Sequence, residues 1–149
     1  MDQLTEGTAV RKRLVVDANI LIRAVLGVRV RKLLQEYGDS VDFFTPDVCF
    51  KDARRLLKEL AEERGFDPTL ALKLIGEFAQ VVESVDRSVY SDYEIAAQLR
   101  IAGRDPDDWP IVAAALLLDC PIWTEDQDFF GSGVATWTTR TVEVYLRDA

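Results

Sequence analysis

Histidine is absent from this chain of 149 residues. Its absence excludes Ser-His-Asp and Cys-His nucleophilic catalysis and any imidazole acid–base step. Cysteine occurs only at Cys49 and Cys120, each in an apolar setting. That reads as two buried free thiols rather than a disulfide, and points to a cytoplasmic protein. Two lone cysteines without histidine cannot build a structural zinc site. No apolar run approaches the roughly 20 residues of a membrane span, so no membrane partner is expected. Residues 1–13 are polar and lack the apolar centre of a secretory signal. They read as a tail ahead of a single domain at 14–149. Positive charge is scarce as well: 18 Lys and Arg face 26 Asp and Glu, a formal net charge of −8. A polynucleotide needs cations, so only local clusters can serve it. Those clusters are Arg11-Lys12-Arg13, Arg29-Val30-Arg31-Lys32 and the basic residues of 51–55.

What remains for chemistry is carboxylates, hydroxyls, Lys and Arg, and metals. Short apolar runs alternate with helical periodicities along the chain. Residues 14–16 read as a buried strand. Residues 19–37 read as a helix with a broad apolar stripe, open to interruption at Gly27 and stopped at Gly38. Residues 41–45 form a second strand. Pro46 and Asp47 then open a helix with Thr45 as N-cap and Pro46 in the first position. Cys49, Ala53, Leu56, Leu57, Leu60 and Ala61 share one face of it, and Gly65 ends it. Asp67-Pro68 opens the next helix, whose apolar face is Ala71, Leu72, Ile75, Phe78, Ala79 and Val82. Residues 81–85 read as a third strand or as a helix exit. Residues 92–101 are helical and 103–106 a loop; 109–118 form an apolar helix, and 121–124 and 135–138 two last strands. Strands alternating with helices imply a parallel α/β sheet covered on both faces.

Acidic residues gather where such a sheet binds ligands, at the carboxyl ends of its strands. Asp17 closes the first strand, where it serves either as helix cap or as ligand, and Asn19 follows two residues on. Asp52 lies one turn into the helix after Pro46, among Lys51, Arg54 and Arg55; a surface ion pair is the plainer account of it. Asp107 and Asp108 precede an apolar helix, and one of them is expected to cap it. Trp109 reads as packing or as a lid. Asp126 and Asp128 follow the strand that ends at Thr124, with Glu125 alternating outward; an acidic turn would also account for them. One arrangement accounts for all four segments: Asp17, Asp52, Asp108 and Asp126 around a hard divalent cation, Mg²⁺ or Mn²⁺.

These residues resemble the PIN-domain family of ribonucleases, which includes the VapC-type toxins of toxin–antitoxin pairs. The opening strand with Asp-x-Asn is matched by Val15-Val16-Asp17-Ala18-Asn19. A strand, a proline and an acidic residue six positions on are matched by Thr45-Pro46 and Asp52, with Asp where the family usually has Glu. An Asp heading an Ala-rich helix is matched by Asp108, Ile111, Ala113 and Ala115. A strand ending Thr-x-Asp-x-Asp-Phe is matched by Thr124, Asp126, Asp128 and Phe129. The resemblance covers about residues 14–144. It implies a three-layer α/β/α fold around a mainly parallel five-stranded sheet, and metal-dependent hydrolysis of single-stranded RNA to 5′-phosphate and 3′-hydroxyl ends. It implies Asp17, Asp108 and Asp126 as ligands of Mg²⁺ or Mn²⁺, and Asp52 completing the acidic pocket. Asn19 and Thr124 would orient ligands, with Asp128 and Asp107 auxiliary. An antitoxin partner and a homodimer are expected, with the helices after Pro46 and Pro68 as interface elements.

A non-catalytic PIN-like module that binds RNA or protein is the competing reading. A phosphatase of the haloacid-dehalogenase kind would need Asp-x-Asp on the first strand, where Asn19 stands. A response-regulator receiver would need a lysine on a late strand, and Trp123-Thr124-Glu125 supplies none.

Overall fold

The structure is a computed structural model describing residues 11–147. Most of the tail read at 1–13 lies outside the described residues. Five parallel strands form one sheet in the order β3-β2-β1-β4-β5. The strands are β1 (Lys12–Val16), β2 (Val41–Pro46), β3 (Val82–Val85), β4 (Ile122–Trp123) and β5 (Thr136–Trp137). β1 starts two residues ahead of the apolar run that marks it in the sequence, and its last three residues are buried. A central parallel strand is covered on both faces, so it reads as continuous apolar residues rather than as alternation.

Helices cover the sheet in the three-layer arrangement. α1 (Ala18–Leu26), α2 (Arg29–Tyr37), α3 (Asp47–Arg64) and α4 (Pro68–Phe78) form one group, with α1 packed on the other three. α7 (Trp109–Leu118) lies against β1, β2 and β4, with α5 (Arg87–Tyr90) and α6 (Glu94–Arg100) packed on it. The first seven residues of α7 are all buried. A helix apolar on every side belongs in the core, and this one anchors the residues that precede it. A short α8 (Val142–Arg147), not marked in the sequence, packs on α2.

Several local expectations are corrected. The helix read over 19–37 is two helices, divided at the Gly27 interruption that the sequence allowed. Gly27 is extended, and a Cβ there would lie 3.0 Å from the Arg23 carbonyl oxygen. The freed carbonyls of Ala24 and Val25 accept from the Arg31 guanidinium at 3.0 and 2.8 Å, which settles the break. α4 stops at Phe78, so Ala79 is exposed and Val82 belongs to β3, the edge strand. Residues 91–93 form a 3₁₀ turn ahead of α6. Both cysteines are free, Cys49 buried and Cys120 half-buried.

Thr45 is not the cap of α3. Pro46 occupies the cap position without a side-chain bond. The Asp47 carboxylate instead accepts from the Val48 and Arg87 amides and the Tyr90 hydroxyl, at 2.8, 3.1 and 2.8 Å. Thr45 is fully buried in β2, and its hydroxyl donates to the Val16 carbonyl at 2.7 Å. It thereby ties β2 to the residue just before Asp17. Thr45→Val keeps the shape and deletes that bond. It is expected to destabilise the protein by about 1–2 kcal/mol in urea unfolding; an unchanged midpoint would show that the bond contributes nothing.

Candidate active site at the carboxyl edge of the sheet

The register pairs Val16 with Trp123, so the first residues beyond β1 and β4 are neighbours. Those residues are Asp17 and Thr124. The Thr124 hydroxyl donates to Asp17 Oδ2 at 2.7 Å and accepts from the Asp126 amide at 2.9 Å. Asn19 Nδ2 donates to the same carboxylate oxygen at 3.1 Å, while Asn19 Oδ1 accepts from the Glu125 amide at 3.3 Å. Asp17 Oδ1 caps α1 by accepting from the Ala18 amide at 2.6 Å. Cap and candidate ligand are therefore one residue, and its carboxylate is locked in orientation. Burial pushes the Asp17 carboxyl above the usual range, opposed by the bonds from Thr124 and Ala18 and reinforced by the nearby Asp126 and Asp52.

Neither Asp107 nor Asp108 caps α7 with its side chain. Asp105 does the capping one turn earlier, accepting from the Asp107 amide at 3.0 Å as the chain enters a 3₁₀ turn at Pro106–Asp108. Asp108 stands at the cap position of α7 with its carboxylate unused. That correction leaves a half-buried acid with no local role. Its carboxyl is pushed up to about 7 by burial, and by Asp105, Asp17, Asp126 and Asp128 around it.

Asp126 accepts from the Asp128 amide at 2.9 Å and so caps the 3₁₀ turn Gln127–Phe129. Phe129, fully buried, pins that turn to the core. One carboxylate oxygen from each of Asp108, Asp126 and Asp128 lies within 4.8 Å of the others. Asp17, Asp52, Asp107 and Asp108 line a cleft of about 150 Å³ beside them, floored by Cys49. Asp108 is common to both groups. The expected four acids do converge on this edge, but the tightest group contains Asp128 rather than Asp17 or Asp52. Asp52 is half-exposed and 3.7 Å from Arg55, a surface pair worth little to stability. Glu125 turns away to accept from the Thr139 amide at 2.7 Å. Trp109 is packed rather than lid-like: it is buried against Tyr90, with the Arg87 guanidinium 5.2 Å from its ring centroid.

Arg55, read beside Asp52 in the sequence, is the cation in the wall of the cleft. Two participants carry no sequence signal. Arg104 donates to the carbonyls of Asp128 and Phe130, and Arg100 donates to that of Ser132 at 3.0 Å. These two arginines, Arg100 at the end of α6 and Arg104 in the turn beyond it, clamp the loop that carries Asp126 and Asp128. No motif or periodicity marks them.

The donors suit one kind of guest. They are hard carboxylate oxygens. No imidazole exists in the chain, and burial pushes the Cys49 thiol well up, so it stays protonated. Oxygens bound to one small divalent ion at roughly 2.1 Å lie at most about 4 Å apart, so the observed spread closes with small side-chain rotations. The cluster could hold such a cation.

A family model for the PIN domain matches residues 15–147. The chain belongs to the PIN-domain family. No curated protein matches it in sequence. Among solved structures it resembles PAE2754 from Pyrobaculum aerophilum, with a TM-score of 0.71 at 15% identity over 98% of this chain and 96% of that one. It also resembles a chain of VapBC2 from Rickettsia felis bound to a promoter DNA fragment (TM-score 0.66, 10% identity, 85% of this chain and 98% of that one). A chain of a toxin–antitoxin complex from Klebsiella pneumoniae matches with a TM-score of 0.60 at 17% identity, over 85% and 97%. At these identities the likeness is one of fold.

Folding raises the Asp108 carboxyl from 3.8 to about 7, so the folded state holds a proton that the unfolded state has released. Stability is then greatest below that window and declines as pH rises through it. The melting temperature of the protein in EDTA is expected to fall between pH 4 and pH 8. Asp108→Asn should flatten that decline and raise the melting temperature at pH 8. A variant that melts lower at every pH would make Asp108 a structural residue.

Proposed function

We propose that this chain is a divalent-metal-dependent endoribonuclease that hydrolyses single-stranded RNA, and the toxin of a toxin–antitoxin pair. The observation that carries the reading is the meeting of Asp17, Asp52, Asp108 and Asp126, from four separate segments, at the carboxyl edge of a PIN-domain sheet. A structural role does not require so many acids in one place, of which, among the described residues, only Asp52 has a cation beside it. Asp108 in particular has no capping bond to explain it.

Asp17, Asp108 and Asp126 would hold Mg²⁺ or Mn²⁺, with Asp128 beside them. When bound, the ion supplies an activated water and offsets charge on a phosphoryl oxygen. The chain's own residues do the rest. Thr124 and Asn19 keep the Asp17 carboxylate from rotating, a positioning role that such neighbours serve at metal sites. Asp52, on the α3 wall of the cleft, completes the acidic pocket and orients the attacking water. Being one methylene shorter than Glu, it would reach the ion through water or stand back from it. Hydrolysis adds the water oxygen to phosphorus and breaks the bond to the 3′ oxygen. The products are a 5′-phosphate and a 3′-hydroxyl.

The toxin assignment rests on the family and on the fold shared with chains from the Rickettsia felis and Klebsiella pneumoniae complexes. It brings an antitoxin protein as partner. A homodimer is the assembly expected with it. Of the two helices read as interface elements, α4 leaves Leu70 exposed; α6, not considered in that reading, leaves Ile95 and Leu99 exposed. Two free thiols fit the reducing cytoplasm.

Asp108→Asn and Asp126→Asn are each expected to lower Mn²⁺-dependent cleavage of single-stranded RNA by about a hundredfold or more, with circular dichroism unchanged. Cleavage at the wild-type rate by either variant would remove the acidic cluster from the reaction.

A further inference from the structure

The molecule is acidic overall, yet one face of α3 is not. Lys51, Arg54, Arg55 and Lys58 follow one another at helical spacing and line a single groove of about 630 Å³, closed on the other side by Ser84 of β3. Seven residues of helix separate Lys51 from Lys58, about 10 Å along the axis. All four cations are exposed. Among the described residues, Lys51, Arg54 and Lys58 take part in no salt bridge. The guanidinium of Arg54 rests 5.5 Å from the ring centroid of Phe50, which is buried beneath the groove. The acid within the groove, Asp47, is already engaged by its three donors. Lys51, Arg54 and Lys58 thus form a strip of available positive charge on a protein of net charge −8, while Arg55 is shared with Asp52 and Glu59 at 3.7 and 3.1 Å.

Its position gives the strip a direction. Arg55 lines both this groove and the acidic cleft that holds Asp17, Asp52 and Asp108. The groove and the cleft are thus contiguous along α3, cations outside and carboxylates within. A polyanion lying in the groove would be led past Arg55 to the acids.

We propose that this groove is the track for the sugar–phosphate backbone of the nucleic acid, with Lys51, Arg54 and Lys58 contacting successive phosphates and Arg55 delivering the next one to the cleft. The proposal rests on the nuclease reading for what happens in the cleft, but binding to the groove is separable from cleavage. Contacts of this kind fix position and carry no base preference. They release counterions, so they leave a signature in the salt dependence.

The test is fluorescence anisotropy of a labelled twelve-residue oligouridylate with the full chain in EDTA, titrated across a series of salt concentrations. Lys51→Ala/Arg54→Ala/Lys58→Ala is expected to weaken binding at least tenfold at low salt. The slope of log affinity against log salt should shrink by ~0.7 for each phosphate contact removed. Lys51→Arg/Lys58→Arg, which keeps the charges, should retain both affinity and slope. If the triple variant binds with unchanged affinity and slope while the wild type still cleaves RNA with Mn²⁺, the groove is refuted and the nuclease reading stands. If the wild type binds through the groove but cleaves nothing, the nuclease reading fails and the groove stands. No binding by the wild type at low salt overturns the track outright. So does displacement of the probe by polyglutamate as readily as by unlabelled RNA of equal charge, which would assign the groove to an acidic protein.

Discussion

Thr124 sits fully buried where two parallel strands run out, and the acidic edge depends on what its hydroxyl bonds. In one direction it donates to Asp17; in the other it accepts from the backbone of Asp126. Asn19 closes the same knot from α1 by touching both Asp17 and the Glu125 amide. Two segments more than a hundred residues apart are thereby fixed to each other at the level of single carboxylate oxygens. The knot exists only because Val16 pairs with Trp123, so site geometry descends from sheet register. A slip of one residue would send these side chains to the other face.

What the knot holds is electrostatically unfavourable by itself. Asp108 has four carboxylates pushing on it and no capping bond. Desolvation adds to the repulsion at Asp17. Such a cluster weakens the fold unless something offsets it, and proteins accept that loss at functional sites. The rigid parts adjoining it carry the strain: the buried α7 behind Asp108, Phe129 behind Asp126 and Asp128, and the Arg100 and Arg104 clamp on the loop. On α3, by contrast, charge of the opposite sign runs up to the edge of the cleft. Acid at the centre and base along the approach is the distribution expected of a site that neutralises a cation and guides a polyanion.

The alternation of apolar strands and amphipathic helices was legible from local sequence, as were the segments holding Asp17, Asp52, Asp108 and Asp126. Those signals are periodic or lie next to strand ends. The misses share a different cause. Thr45 reads as a cap because it precedes Pro46, yet its hydroxyl goes to a neighbouring strand. Asp105 takes over the capping expected of Asp107 or Asp108 because Pro106 starts a 3₁₀ turn before the helix. The break at Gly27 is set by Arg31 reaching back to two carbonyls. Arg104 finds its partners across the fold. β4 and β5 are each shorter than the strands read at 121–124 and 135–138, and α8, six residues long, is too short for its periodicity to show. The deciding factor is a side-chain partner that no periodicity reports, or an element of fewer than two turns.

The claim beneath all of this is that the acids are gathered to hold a hard divalent cation. Calorimetric titration of Mn²⁺ into the metal-free protein near pH 7, in buffers of differing ionisation enthalpy, addresses it directly. The account predicts saturable binding with net proton release, since Asp108 must give up its proton to become a ligand. Heats that never saturate would contradict it and return these aspartates to the work of turns and caps; saturation with no proton release would contradict only the raised Asp108 carboxyl.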